Sequence, residues 1–517
     1  MPLRKGLNSR QLAMISIGGV IGVGMFLGSA SAVSLAGPGV IIAYALGGVI
    51  MLLVMMALAE MSVAEPSPGS FRQYAAEYLH TYAGFLTGWV YWLAWVAIMS
   101  AEIVAATTYM DFWIPHRYSW IFGIIFAMAM TLVNLRSVGS FGEFEFWFSM
   151  IKVAAIIAFI GIGTAFIIGV FPGVRIGAAN YLRVGGFLPK GAIGLLLAMV
   201  MVMFAYGGTE VIGVAAGESK DPRRDVPRAI NGIVLRTLIL YIGSIAVLVG
   251  VIPWNEVGLR GSPFVTVYEM LRIPAAADLM NFVVITAALS SMNSGLYTSS
   301  RILYNMAEQG DAPALFRHLN RRRVPANAVV LSTVALYAAV LVYYLSPRTA
   351  FLYVTAMSSF GVMFTWLMIS LTHLRFRPRA MAAGGRELAY RMPGYPYTTW
   401  AAIVSMAAVI LTIYFVPGQR IGFVSGVFVL LAVTACYWLV AVPARRRAAA
   451  GERAPGGEAA PAGEAIRPGG RAPLRPAPGL DLAGFFGLWP KDRQEARDSA
   501  TGREAVDDGQ GQLGRQD

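Results

Sequence analysis

The feature that most constrains this chain is a succession of apolar blocks, nearly free of charge and each about the length that crosses a membrane. Twelve can be placed: about 11–34, 38–63, 83–110, 119–135, 144–170, 193–215, 229–252, 278–304, 327–346, 349–374, 398–417 and 421–443. About 20 residues of helix span a hydrocarbon layer roughly 30 Å thick. Inside that layer the backbone must pair its own polar groups, which leaves helices or closed barrels. The blocks are continuously apolar and do not alternate, so they read as helices. The expected fold is an all-α polytopic membrane protein with twelve transmembrane helices. Composition agrees: 57% of the 517 residues are hydrophobic and 13% are charged, against about 25% charged in soluble domains. This excludes an ordinary water-soluble enzyme and wholesale disorder. A single cysteine, Cys436, and four scattered histidines exclude a disulfide framework and argue against a metal site. No cofactor is expected. The first block is of spanning length and has no small-residue cleavage site after a short core, so no cleavable signal peptide is expected.

The formal charge is +13. The stretch 444–517 holds 12 basic and 11 acidic residues, a net of +1, so the body carries +12. Its Arg and Lys residues fall mainly in alternate loops. With both termini on the cytoplasmic side, 21 positive residues lie inside and 8 outside. The positive-inside rule therefore predicts a multi-pass cell-membrane protein with both termini cytoplasmic. The basic balance reports orientation and not a nucleic-acid partner. Three regions follow: a cytoplasmic N-terminus over 1–10, a twelve-helix body over 11–443 and a tail over 444–517. The tail is rich in Ala, Pro, Gly, Arg and Glu and reads as disordered. Leu482, Phe485, Phe486, Leu488 and Trp489 form one apolar cluster within it.

Two spans contain helix breakers where a plain membrane helix would have none. The first reads Gly18-Gly19-Val20-Ile21-Gly22-Val23-Gly24, and the sixth reads Phe204-Ala205-Tyr206-Gly207-Gly208-Thr209-Glu210. Either cluster alone is equally a helix-packing face. Together they occupy matching positions in two five-helix halves, the pattern that marks a transporter site at the membrane midplane. A broken helix frees N–H and C=O groups that cost several kcal/mol each if unpaired in lipid. The N-terminal end of a half-helix suits a carboxylate, and freed carbonyls suit an ammonium. A free amino acid carries both groups. The amides of Gly22, Val23 and Gly24 are expected to hold its carboxylate. Carbonyls near Ile17, Gly18, Phe204 and Ala205 are expected to hold its ammonium, with Phe204, Tyr206 and Gly207 beside it.

Ionisable residues deep in spans cost at least about 2.5–3.5 kcal/mol each. Glu102 in span three, Lys152 in span five and Glu210 after the span-six break stand out. Each has a structural reading: a hydrogen-bonded group for Glu102, a carboxylate partner for Lys152, and satisfaction of freed amides for Glu210. Each also has a functional one. Glu102 and Lys152 are candidates for proton coupling, and Glu210 for gating. Glu60 and His373 are expected at the inner interface, and Arg236 and Arg301 are expected to reach it by snorkelling.

At these residues the chain resembles amino acid permeases of the amino acid transporter family in the amino acid–polyamine–organocation superfamily. The resemblance covers roughly 3–443. It includes Arg4-Lys5-Gly6-Leu7-Asn8-Ser9-Arg10, the run from Gly18 to Ser29, Leu58-Ala59-Glu60-Met61 with Pro68-Gly69-Ser70-Phe71, and Gly84-Phe85-Leu86-Thr87-Gly88-Trp89. It continues through Gly142-Glu143-Phe144-Glu145-Phe146-Trp147-Phe148 to Lys152, Met203 to Glu210, Ala216-Gly217-Glu218-Ser219-Lys220-Asp221-Pro222, Asn293-Ser294-Gly295 and Gly310-Asp311-Ala312-Pro313. The resemblance implies a LeuT-type five-plus-five inverted repeat with two added helices, and import of amino acids, usually with protons. It also implies substrate held at the two breaks, Lys152 near a vacant sodium-site region between helices one and eight, and Phe204 as an inner lid. One departure is Gly22-Val23-Gly24, where the family usually has Thr or Ser between the glycines. The lost hydroxyl bears on affinity and substrate shape; the amides remain.

The expected function is a secondary active amino acid transporter, importing with protons by alternating access and requiring only substrate, protons and the bilayer. The alternatives are an amino acid exchanger and, in another class, a membrane amino acid sensor. Glu102 and Glu210 do not fix a cationic substrate. Span six resembles proline-type and aromatic-type permeases, and span eight resembles γ-aminobutyrate-type members.

Overall fold

The computed structural model of the protein describes residues 14, 17–67, 69–136, 138–170, 178–216, 222–258, 262–271, 275–382 and 388–449. The basic segment 4–10, the loop residues 217–221 and the tail cluster between 482 and 489 lie outside the described residues.

Among the described residues, a helical stretch over 17–20 precedes eighteen α-helices. They are α1 (Val23–Phe26), α2 (Gly28–Ala36), α3 (Val40–Ala64), α4 (Ser70–Tyr74), α5 (Thr81–Met110), α6 (His116–Asn134), α7 (Val138–Ile167), α8 (Ala179–Leu182) and α9 (Gly191–Tyr206). The series continues with α10 (Val211–Ala216), α11 (Pro222–Val251), α12 (Pro263–Leu271), α13 (Ala276–Glu308), α14 (Ala326–Leu345), α15 (Pro347–Ala382), α16 (Tyr397–Thr412), α17 (Arg420–Cys436) and α18 (Val442–Ala449). Among the described residues every regular element is helical. Among the described residues, ten stretches are long and apolar enough to cross a membrane. One of them, Gly28–Ala64, is interrupted by Gly37-Pro38-Gly39. A further apolar stretch, Leu235–Val251, is shorter.

Local sequence explains the element ends. Proline opens α11, α12 and α15, a position whose amide needs no intrahelical partner. His80 precedes α5 in extended conformation, and its Nδ1 accepts from the Tyr82 amide at 3.1 Å. Between Ala36 and Val40, Pro38 cannot donate and Gly37 has φ +64°.

Long helices α5 and α13 form the centre: in each, 83% of the apolar window is buried, against 11% for the window beginning at Arg420 in α17. Packing there is close because glycines let neighbouring helices approach. A Cβ at Gly295 of α13 would lie 2.6 Å from Met99 Cγ, and one at Gly361 of α15 would lie 2.6 Å from Ala94 Cβ. Lipid supplies little hydrophobic drive between helices, so such contacts carry the association. On the outside, Phe428, Leu431 and Leu439 are exposed, as are Trp147, Leu341 and Val404. That surface suits hydrocarbon, and the protein is a multi-pass membrane protein.

Three expectations about interface residues are corrected. Glu60 and His373 are fully buried. Helix α15 continues to Ala382, past the expected end at 374, and Met392 beyond it lies against Glu60. The Met392 amide donates to Glu60 Oε2 at 2.7 Å, His373 Nε2 is 3.2 Å from the same oxygen, and Arg377 Nε is 3.4 Å from Oε1. Arg301 is also buried, because α13 runs a further turn to Glu308. Its guanidinium lies 3.8 Å from the Tyr297 ring centre and donates to Ser300 Oγ at 3.2 Å. Arg236 is exposed, as snorkelling requires.

Candidate functional site

Both glycine clusters break their helices, and the two breaks touch. After residues 17–20, Gly22 is extended (φ −132°, ψ −156°) and α1 restarts at Val23. Helix α9 ends at Tyr206, Gly207 is extended in ψ (144°), and α10 restarts at Val211. Gly208 lies between them with φ +99°, a region disfavoured for side chains. A Cβ there would also sit 2.4 Å from Gly19 O, across the contact between the breaks.

The freed backbone groups are taken by buried side chains of α5, α7 and α11 and by Glu210 of the second break. Both Glu102 carboxylate oxygens accept from the Val23 amide, at 3.0 and 3.2 Å. A Cβ on Gly22 would fall 2.2 Å from Glu102 Oε1, so the glycine makes room for the carboxylate. Lys152 Nζ donates to Gly18 O at 2.6 Å, Ile21 O at 2.9 Å and Ser290 Oγ at 2.9 Å. The Tyr241 hydroxyl of α11 lies 2.8 Å from Val20 O and 3.1 Å from Ala205 O, a strut between the two breaks. At the second break, Glu210 Oε2 accepts from the Gly208 amide and from Trp366 Nε1, both at 3.0 Å, and Oε1 accepts from the Tyr91 hydroxyl at 3.1 Å. Two carbonyls are used locally: Ile17 O accepts from the Ile21 amide and Phe204 O from the Gly207 amide, both at 3.1 Å.

A narrow cleft lies where the breaks meet α5 and α13. It is lined by Gly19, Val20, Gly24, Ile98, Glu102, Phe204, Ala205, Gly207 and Ser291. Of the residues predicted from sequence, Gly24, Glu102, Phe204, Ala205 and Gly207 line it directly. Gly22 and Val23 adjoin it through Glu102. Ile17, Gly18 and Lys152 stand behind the first break, and Glu210 pins the second. Tyr206 faces elsewhere: its ring stacks on Tyr241 with centroids 5.1 Å apart, and its hydroxyl donates to Tyr44 O at 2.9 Å.

The structure adds Ser291 in the cleft lining and Tyr241 between the breaks; Ser290, Glu145 and Asn293 lie behind the first break, off the cleft. Glu145 had a visible signal. It is a carboxylate in an apolar span seven residues before Lys152, two helical turns away on the same face. It is fully buried, accepts from the Ser290 hydroxyl, and accepts from Asn293 Nδ2 at 3.0 Å. Tyr241 had none, being one of 22 tyrosines in the chain. Among the described residues no group of three His, Cys, Asp or Glu side chains could hold a metal ion.

Chemically, this arrangement places one carboxylate, Glu102 on a half-helix amide, in the cleft lining, with a fixed ammonium and two further carboxylates behind the breaks. Such a set can bind a small zwitterion and exchange protons. Interrupted membrane helices meeting at buried ionisable groups define the protein as a membrane transporter. Comparison with known proteins places it within that class. Residues 11–447 match the amino acid permease family. The chain is 42% identical over 452 residues to an uncharacterised amino acid permease of Bacillus subtilis, covering 87% of this chain and 98% of that protein. It is 41% identical over 419 residues to the gamma-aminobutyric acid permease of the same organism, covering 81% of this chain and 89% of that one. It is 40% identical over 419 residues to the aromatic amino acid transport protein AroP of Escherichia coli K12, covering 81% and 92%. The chain belongs to the amino acid permease family, and its function is amino acid transport.

Proposed function

We propose that the protein imports amino acids across the cytoplasmic membrane together with protons, by alternating access. The observation that carries this reading is the position of Glu102. Its carboxylate lies on the Val23 amide, the half-helix terminus expected to seat the carboxylate of an amino acid. Two anionic carboxylates cannot share that terminus at low cost. A charge-assisted hydrogen bond is also about twice as strong as a neutral one. Protonating Glu102 therefore weakens its hold and opens the seat, so proton uptake and substrate binding favour each other. By linkage the favour is mutual.

Lys152 supports the same reading. Its three donors hold two carbonyls of the first break and Ser290. Loss of one proton leaves fewer donors and loosens the first half-helix. Phe204 borders the cleft beside Gly24, where a Cβ would come within 3.3 Å of its ring, a position suited to an inner lid. Glu210 links the second break to α5 and α15, which suits a gate.

The architecture is read as twelve spans. Dividing Gly28–Ala64 at its Gly-Pro-Gly interruption and adding Leu235–Val251 raises the ten stretches to twelve. The breaks then fall in the first and sixth spans, which supports a LeuT-type five-plus-five repeat with two added helices. The charge distribution supports cytoplasmic termini. Relatives named for γ-aminobutyrate and for aromatic amino acids support a cleft that recognises the amino and carboxyl groups.

The test is Glu102→Gln in liposomes. The amide cannot ionise, so exchange between internal and external substrate should persist while gradient-driven accumulation falls at least about tenfold, the loss of some 1.4 kcal/mol of coupling. Wild-type accumulation by the variant would contradict the coupling role.

A further inference from the structure

The coupling reading leaves one buried carboxylate without a task. Glu145 and Lys152 lie on one face of α7, fully buried, and Ser290 of α13 stands between them. Lys152 Nζ donates to Ser290 Oγ at 2.9 Å, and the Ser290 hydroxyl donates to Glu145 Oε1. The bonds run in one direction, from ammonium through hydroxyl to carboxylate. The far oxygen, Oε2, accepts from Asn293, whose Oδ1 accepts from Asn134 Nδ2 at 2.7 Å. These amides fix the carboxylate without competing for its proton. Glu145 is also pressed against the first break: a Cβ on Gly18 would sit 1.8 Å from Oε1.

We infer that Ser290 and Glu145 form a proton relay that empties Lys152 toward the cytoplasm. The inference rests on the proton-coupled reading above. In the step, an N–H bond of the Lys152 ammonium breaks and its proton forms an O–H bond on Ser290. At the same time the original Ser290 proton passes to Glu145 Oε1. The products are a neutral amine, an unchanged serine and a neutral carboxylic acid; no oxidant or co-reactant is needed. Two opposite buried charges are thereby cancelled, which lowers the desolvation cost of the pair. Direction follows from topology. With both termini cytoplasmic, α7 starts from the inner face, so Glu145 lies about 10 Å nearer the cytoplasm than Lys152 at 1.5 Å per residue. The charged neighbours on this relay are Lys152 itself and Glu102, which lies across the first break on α5.

The experiment uses the full-length wild type, Glu145→Gln and Ser290→Ala in liposomes. Ser290→Ala removes the relay oxygen and keeps both ionisable groups, so it tests the relay even where Glu145→Gln misfolds. Two rates are read for each: accumulation driven by an inward proton gradient, and exchange against preloaded substrate. The relay predicts that each folded variant exchanges within about threefold of wild type and loses driven accumulation about a hundredfold or more, the low end of what a placed proton-transfer group contributes. Either variant accumulating like wild type overturns the relay. Loss of both modes together in Ser290→Ala also overturns it, since that is the signature of a structural part. Absence of gradient-driven uptake in the wild type itself would instead overturn the coupling reading on which the relay rests.

Discussion

Glu102, Lys152 and Tyr241 occupy the groups that a broken helix would otherwise leave bare, and each does so with different chemistry. Glu102 neutralises a half-helix N-terminus, Lys152 gathers carbonyls, and Tyr241 offers a neutral hydroxyl to Val20 O and Ala205 O. Lys152→Ala should abolish gradient-driven uptake, because it removes the fixed cation and its proton together; accumulation measured in liposomes decides this. Tyr241→Phe keeps the ring against Tyr206 and removes only the hydroxyl. Since one hydrogen bond contributes about 1 kcal/mol net, the variant should bind substrate about fivefold differently and unfold at lower temperature. Titration calorimetry and thermal unfolding would check both. A change confined to expression level would mean that the strut is not part of the site. The two charged residues were legible in the sequence because a charge inside an apolar block is conspicuous. Tyr241 and Ser291 were not, because a neutral polar residue in a membrane helix has many ordinary uses.

At the scale of the element, the site is made by two interruptions that press on one another. A Cβ on Gly24 would lie 2.8 Å from Ala205 Cα. That neighbour is backbone and cannot rotate away. Gly24→Ala should therefore push α1 off α9, costing about 1–3 kcal/mol as overpacking does, and should abolish uptake at unchanged membrane insertion. Normal uptake would show that the breaks tolerate separation. The breaks were readable because glycine clusters recur in spans one and six. Helix ends were less so: α13 runs on to Glu308, and α15 runs past its expected limit because Arg375, Arg377 and Arg379 are good helix formers once a helix leaves the membrane. The short helices α4, α8 and α12 carry too few turns for periodicity to reveal. Yet α12 matters, since Phe264 packs on Phe26 and Phe159 with centroids 5.0 and 4.6 Å away.

For the whole molecule, a buried ionic knot ties distant segments. Asp311, just after α13, pairs with Arg72 of α4 and with Arg445 of α18. Arg72 also donates to Asn305 Oδ1 at 3.1 Å and Gln309 Oε1 at 2.5 Å. Burial, helped by the nearby Arg445, pulls the Arg72 guanidinium down to about 10, so it stays charged at neutral pH. Asp311→Ala should destabilise the protein by about 3–5 kcal/mol, the cost of stranding a buried charge, read as thermal unfolding of purified protein. An unchanged midpoint would remove the knot from the account. The family, the membrane character and the two helix breaks were legible in the sequence, whereas this knot joins residues 72, 311 and 445 through contacts that no local pattern announces.

The most direct measurement is uptake of a labelled amino acid panel by wild-type protein in liposomes, with and without an inward proton gradient. Proton-coupled import predicts accumulation of one chemically related group of amino acids, dependent on the gradient and absent without it. Uptake only into liposomes preloaded with amino acid would contradict it and establish an exchanger instead.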